Sequence, residues 1–157
     1  MVENSLTKAL RDYLSACFKD YALPVKGGGT REPKVLNGYL PPKRANAEDD
    51  FPFILVRLNS GETDLAASTV SVSIIVGCYS EEYDGYEWCV NVMSKIRESL
   101  FGLPCGTLAD KYQFRPGFTW EIFPEQPWPY WQLDIKTQWL LEPPRIDAGE
   151  FLAIGEL

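Results

Sequence analysis

The clearest hydrophobic pattern in the chain is a strand followed directly by a helix. Along Ser68–Tyr79, apolar side chains alternate with small polar ones, a period of two that is typical of a strand with one buried face. Apolar residues then recur at helical spacing as far as Phe101, which indicates an amphipathic helix; they are Cys89, Val92, Met93, Ile96 and Leu100. Asp84 and Glu87 have the spacing of a capping box at its start, and Gly102 is placed to end it in the left-handed conformation. The strand and the helix are predicted to bury their apolar faces on each other.

The same patterns predict another helix and further strands. Glu3–Tyr21 follows helical spacing, with charged residues on the side opposite its leucines. Trp131–Leu141 alternates like the first strand, whereas Phe51–Asn59 is apolar almost throughout, as in a central strand. Shorter strands are predicted from composition and from the flanking proline and glycine residues: Lys34–Leu40, Lys111–Arg115 and Phe118–Phe123.

The predicted elements follow the order α-β-β-β-α-β-β-β, which defines the fold class. One-sided helices and one-sided strands fit a two-layer α+β fold, in which both helices pack on one face of a mostly antiparallel sheet. The other face would present polar side chains to water or to a partner. We predict a single domain over residues 1–143, in which Lys43–Asp50 is a polar loop and a candidate for disorder.

Residues 144–157 are predicted to form a C-terminal tail that is extended or bound to a partner. Its apolar residues have no evident place in a finished domain; they are Phe151, Leu152 and Ile154. An apolar terminal segment and a short edge strand both need a cover, because exposed sheet edges invite pairing. Self-assembly would provide that cover, and a disordered tail is the alternative.

Charge is distributed unevenly along the chain. The formal net charge is −7, and all of the excess lies in residues 79–157, which carry six basic and thirteen acidic side chains. This balance argues against nucleic-acid binding by phosphate neutralisation, which requires clustered Lys and Arg. No apolar run approaches the roughly 20 residues that span a bilayer, and the N-terminus has no apolar signal core. We therefore expect a soluble protein that is made in a cytosol and has no membrane partner.

The chemistry-bearing residues favour a protein without catalytic activity. The chain has no histidine, which removes the commonest general base and most zinc sites, and its four cysteines lack the spacing of metal ligands. The cysteines are expected to be small buried hydrophobes in a reducing compartment. Acidic residues that precede the second helix are interpreted as a helix cap and a solvated rim; they are Glu81, Glu82, Asp84 and Glu87. A small hydrolase using Glu81 or Glu121 is the alternative. We predict no catalytic, cofactor-binding or metal-binding residues.

The densest aromatic region lies between the second helix and the last strand. It contains Trp120, Phe123, Trp128, Tyr130 and Trp131, interleaved by three prolines. These residues could pack the end of the sheet, form a protein interface, or stack sugar rings. A carbohydrate-binding module that uses Trp120, Trp128 and Trp131 is therefore a second hypothesis for function.

Four phrases of the sequence, in this order, resemble small tail proteins encoded in prophages of Gram-positive bacteria. They are Tyr39–Lys43 (YLPPK), Phe51–Arg57 (FPFILVR), Tyr79–Gly85 (YSEEYDG) and Glu125–Trp131 (EQPWPYW). The resemblance covers about residues 5 to 143. The architecture of these proteins is similar to that of the tail terminator proteins of long-tailed bacteriophages.

This resemblance implies a homo-oligomeric ring, a hexamer, that caps the tail tube, ends its polymerisation and joins it to the head connector. The partners it implies are other copies of the chain, the tail tube protein, the connector, and DNA that passes through the channel without specific binding. Its location would be the virion tail, after synthesis in the host cytoplasm. Our candidate protein-interface residues are Tyr39, Glu81, Glu82, Trp128, Tyr130, Phe151, Leu152 and Ile154.

Overall fold

The structure is a computed structural model that describes residues 1–40 and 50–144. Its helices and strands, in chain order, are α1 (Val2–Cys17), β1 (Leu23–Pro24), β2 (Thr30–Arg31), β3 (Lys34–Asn37), β4 (Phe53–Thr63), β5 (Ser68–Tyr79), α2 (Tyr86–Phe101), β6 (Thr107–Leu108), β7 (Tyr112–Ile122) and β8 (Tyr130–Leu141). Strands β1 and β2 form a small hairpin of their own. The two helices and the six strands of the main sheet follow the predicted order, so the α+β fold class is confirmed.

The main sheet is built outward from its two longest strands. Its strand order is β3-β4-β5-β8-β7-β6, and β5 and β8 pair without interruption from Ser68 opposite Leu141 to Tyr79 opposite Tyr130. Among the described strands, only β3 and β4 run parallel, and every other neighbouring pair is antiparallel. The prediction of a mostly antiparallel sheet is therefore confirmed.

Both helices cover the same face of this sheet. Leucines at helical spacing on α1 are fully buried, and so is the predicted apolar stripe of α2, from Cys89 to Leu100. The strands contribute the even-numbered residues of β5 and the odd-numbered residues of β8, including Trp139, the largest fully buried side chain. The Tyr13 hydroxyl donates to the Ser99 carbonyl at 2.7 Å and links the two helices. Each fully buried Leu or Ile stabilises the fold by roughly 1.5–3 kcal/mol.

Three predictions about the helix ends are wrong. Helix α1 ends at Cys17 rather than Tyr21, because the chain turns away at Asp20, whose φ is 63°. Asp84 does not cap α2: Gly85 occupies the N-cap position, no side chain caps the helix, and Asp84 lies in the preceding turn, where its carbonyl accepts from the Glu87 N–H. Gly102 has φ −86°, and its N–H donates to Glu98 in a continued helical pattern. A left-handed stop is not needed there.

The prediction of two short strands around Pro116 and Gly117 is also wrong. A single strand, β7, runs through them, with a register shift against β8 between Arg115 and Thr119. The bulge takes Pro116, which has no N–H, out of the hydrogen-bond ladder, so β8 pairs with the strand on both sides of it. The sequence shows the proline and glycine that break a strand locally. It does not show that β8 pairs with the residues on both sides of them and so overrides the break.

On the helix side of the two central strands, a buried threonine is paired through hydrogen bonds. The Thr137 hydroxyl donates to the Val72 carbonyl at 2.9 Å and accepts from the Trp139 indole N–H at 2.9 Å. All four cysteines are free thiols; Cys78 and Cys89 are buried, as predicted, whereas Cys17 is half-buried and the prediction of burial is wrong for Cys105, which is exposed. A hydrogen bond with Cys89, together with burial, raises the pKa of the Cys78 thiol well above its ordinary value.

Replacing Thr137 with valine is expected to destabilise the fold by about 1–3 kcal/mol, because a buried indole N–H loses its only described acceptor. Urea unfolding followed by circular dichroism measures this. The matched control is Thr119→Val on exposed β7, which should change the free energy of unfolding by less than about 0.5 kcal/mol. Equal stability of the two variants would contradict the assignment.

Candidate interaction surfaces

The face of the sheet opposite the helices carries a second apolar cluster, which we call the open-face cluster. Its members are Phe51, Phe53, Leu55 and Tyr79, with Leu36, Leu40, Ile75 and Tyr130 packed against them. The ring centroids of Phe51 and Tyr130 lie 4.8 Å apart, and those of Tyr79 and Tyr130 lie 5.6 Å apart. The prediction that this face is polar is therefore wrong at this end of the sheet. Ile75, the one large apolar residue of β5 on this face, packs against the cluster.

The rest of the open face is polar, as predicted. Lys136 on β8 donates to the Ser73 hydroxyl and pairs with the Asp134 carboxylate, each at 3.3 Å. Asn59 donates to the same Ser73 hydroxyl from β4. These contacts join three strands side by side, and the Asp134 Oδ1 atom is buried without a hydrogen-bond donor.

The turn before α2 is fixed to β8 by a tryptophan and a glycine. The Trp131 indole N–H donates to the Ser80 carbonyl at 3.0 Å, and Gly85 packs directly on the same indole. A Cβ atom at Gly85 would overlap Trp131 Nε1 and lie 2.8 Å from Ser80 Cβ, closer than real side chains approach. Only glycine fits at this position.

The proline-rich loop before β8 is held by one glutamine. The Gln126 amide donates to the carbonyls of Phe123 and Gln132, and its oxygen accepts from the Gln132 N–H at 2.8 Å. Trp128, at the centre of this loop, is 55% exposed, whereas Tyr130 is half-buried in the open-face cluster. Of these two predicted interface residues, Trp128 is available to a partner and Tyr130 mainly supports the loop.

The acidic turn presents its charges to solvent. Glu81, Glu82, Asp84 and Glu87 are all exposed. Glu81 accepts a hydrogen bond from the Tyr79 hydroxyl at 2.8 Å, which orients its carboxylate beside the open-face cluster. Glu121 is also exposed, on β7, so both carboxylates considered for a hydrolase lie in water-accessible positions.

The three tryptophans considered for sugar binding do not share one environment. Trp131 is half-buried and its indole N–H is already bonded to Ser80, while Trp120 and Trp128 are exposed. A stacking platform needs free ring faces. Only two of the three rings meet that condition.

Tyr39, the first predicted interface residue, follows β3, at the edge of the sheet away from β7. It is 73% exposed, and its ring stacks on the Arg57 guanidinium, 4.1 Å from the ring centroid. Arg57 Nε also donates to the Gly38 carbonyl at 3.0 Å. Arg57 is not among the predicted interface residues. Its signal in the sequence is that it is the one charged residue of the otherwise apolar segment Phe51–Asn59.

A groove lies beside Tyr39, between α1 and the β3–β4 edge; we call it the edge groove. Its volume is about 320 Å³, and the charged residues among those that line it are Lys8 and Arg57, both cationic. Asn37 also lines it, and its Oδ1 atom is buried without a hydrogen-bond donor. A buried acceptor without a donor costs roughly 1–3 kcal/mol, so the edge groove would be stabilised by a partner that supplies an N–H.

Some predicted residues fall outside the described part of the chain. Phe151, Leu152 and Ile154 are among them, as is most of the Lys43–Asp50 loop. Asp50 is described and is buried, where the Arg31 guanidinium donates to its carbonyl at 3.0 Å. Across residues 1–40 and 50–144, no group of acidic or cysteine side chains could hold a metal ion, and no helix could span a membrane.

Comparison with known proteins adds no relative: no family model matches this chain, and no curated protein matches it. The function is therefore argued from the residues and surfaces themselves.

Replacing Gly85 with alanine is expected to destabilise the fold by about 1–3 kcal/mol, since the added methyl group overlaps the Trp131 indole. The tryptophan emission should shift because the indole must move from the Ser80 carbonyl. Thermal unfolding and fluorescence spectra measure both effects. The matched control is Gly117→Ala, where nothing lies within 4 Å of the new methyl group. A Gly85→Ala chain as stable as the control would refute this packing.

Proposed function

We propose that this chain is a non-enzymatic structural subunit of a phage tail. In this proposal it forms a closed homo-oligomeric ring of six copies on the last ring of the tail tube. The ring ends tube polymerisation and offers its other side to the head connector. The partners are other copies of the chain, the tube protein and the connector, with DNA passing through the channel.

The observation that carries the proposal is where the four tail-protein-like phrases meet. Each phrase supplies at least one residue of the open-face cluster: Leu40, Phe51, Tyr79 and Tyr130 are one from each. Phrases separated by up to about ninety positions thus specify one packed corner. This is what a resemblance in fold would produce, and it favours a structural role for these residues.

The acidic residues support the passage of DNA without binding. Exposed carboxylates lie in the turn before α2 and in the β7–β8 region, and no cluster of Lys or Arg is next to them in the sequence. These carboxylates belong to Glu81, Glu82, Asp84, Glu87, Glu121 and Glu125. A negative surface repels the phosphate backbone, so DNA slides past it rather than sticking.

Deleting the gene for this chain from its prophage is expected to give tails of abnormal length that are not joined to heads, because nothing stops the tube or meets the connector. Negative-stain electron microscopy of induced lysates measures tail length and attachment. Supplying the wild-type gene in trans should restore both. Tails of normal length joined to heads in the deletion strain would reject the proposed function.

A further inference from the structure

Among residues 1–40 and 50–144, the two lateral edges of the main sheet both have strand segments without a partner strand. At one edge, β3 pairs with β4 alone within this part of the chain. At the other edge, β6 covers only Tyr112 and Gln113 of β7, so the described part of β7 from Phe114 to Ile122 pairs on one side only. Exposed strand edges are templates for pairing with another chain.

These two edges match each other in direction. Strand β7 is antiparallel to β8, β8 to β5 and β5 to β4, while β4 is parallel to β3. It follows that β7 runs opposite to β3. A second copy placed beside the first, with its sheet in the same orientation, would therefore present β7 to β3 as an antiparallel pair.

The two edges also match in their position along the strand direction and in length. The register places Asn37, Val56, Ile74, Ile135 and Trp120 in one row across five strands. The bulge and Pro116 leave Thr119–Ile122 as the regular free end of β7, and β3 has the same four-residue length. If this row of paired residues continues into a second copy, Trp120 of one copy lies opposite Asn37 of the other.

In that register the side chains on the helix side of the sheet are complementary. Val35 and Ile122, which both pack against the main core, would face each other. Trp120 shares the helix side with Ile135, is 46% exposed, and would enter the edge groove beside Asn37. Its indole N–H is the kind of donor that Asn37 Oδ1 lacks.

Charge is complementary on the other side of the sheet. Glu121 lies opposite Asp134 on the open face, and the β3–β4 edge carries Lys34 and Arg57 on that same face. An exposed carboxylate would thus approach Arg57 and also Lys34, which is already paired with the Asp50 carboxylate at 4.0 Å. The antiparallel match, the shared row and this charge pattern all indicate the same occupant, a second copy of the chain.

We propose that copies of this chain join head to tail, with β7 of one copy extending the sheet of the next at β3 and with Trp120 seated in its edge groove. This inference rests on the proposed ring, and it names the surfaces that form it. Such a contact uses two different patches, so it closes a ring or continues as a filament rather than stopping at a dimer.

The first test is sedimentation velocity of the full chain over a concentration series, up to about the millimolar range of weak association. Wild-type protein should assemble beyond a dimer. Trp120→Ala and Glu121→Lys should each raise the dissociation constant about tenfold or more, as for central interface residues. The matched controls are Trp88→Ala and Glu125→Lys, which change exposed residues outside the proposed contact. A wild-type monomer at every concentration, or equal effects in variants and controls, would overturn the proposal.

A second test traps the contact covalently, at the high protein concentrations of the first test. In a Cys105→Ser background, which removes the exposed thiol, Asn37→Cys and Trp120→Cys chains are oxidised separately and as a mixture. Directly opposite residues in antiparallel strands bring their Cβ atoms close to disulfide distance. Linked dimers should form in the mixture only, and a mixture of Asn37→Cys with Glu125→Cys should give none. Linkage within either single variant, or none in the first mixture, would count against it.

The outcomes separate the two proposals. Assembly through these edges, combined with normal tails in the deletion strain, would reject the tail role and keep the interface. Abnormal tails in the deletion strain that Trp120→Ala and Trp88→Ala chains restore fully and equally well would keep the tail role and reject the interface.

Discussion

The antiparallel pairing of β5 with β8 is the interaction on which the rest of the structure depends. It is an unbroken ladder of twelve residue pairs, and its helix side supplies the centre of the core, including Ile74, Ile135 and Trp139. Because side chains alternate across a strand, this single register decides which residues face the helices and which face outward. A shift of one residue would bury Lys136 and Asp134 and expose the core.

The ladder also places the end of β5 next to the start of β8. The turn that follows β5 and the loop that precedes β8 both leave the sheet there, and each is held by specific contacts. Trp131 packs on Gly85 and bonds to Ser80, and Gln126 holds the loop before β8. Aromatic and aliphatic side chains from four separate stretches then fill the open face beside these exits. Paired polar groups and packed rings restrict the conformations open to this corner.

In the described part of the chain, the outer strands of the sheet are the ones whose backbone is paired on one side only, along all or most of their length. The central pair is satisfied on both sides, whereas β3 is short and β7 is covered by β6 over two residues. Natural sheets usually protect such edges with prolines, bulges or charges, and β7 has both a proline and a bulge, but only in its middle. The free end next to them carries Glu121, a charge of the protective kind, but also Trp120, an exposed aromatic residue that edge protection does not require. Within the described residues, the sheet thus combines a closely packed corner with edge strands that are only partly paired.

The sequence by itself determined the two helices, the strands β4, β5 and β8, the α+β class and the side of β5 and of β8 that faces the helices, because these depend on local periodicity. It also marked Trp128, Glu81, Glu82 and Tyr39 as surface candidates, and the structure places all four on the surface. It did not determine the helix caps, the continuity of β7 through Pro116, or the burial of Tyr130 and Ile75 in a cluster opposite the helices. Those features depend on partners far away in the chain: β8 carries β7 past its proline, and Phe51 meets Tyr130 only once β4, β5 and β8 have paired. The row from Asn37 to Trp120 was likewise decided by tertiary structure alone, because no local pattern relates the register of one edge of a sheet to that of the other.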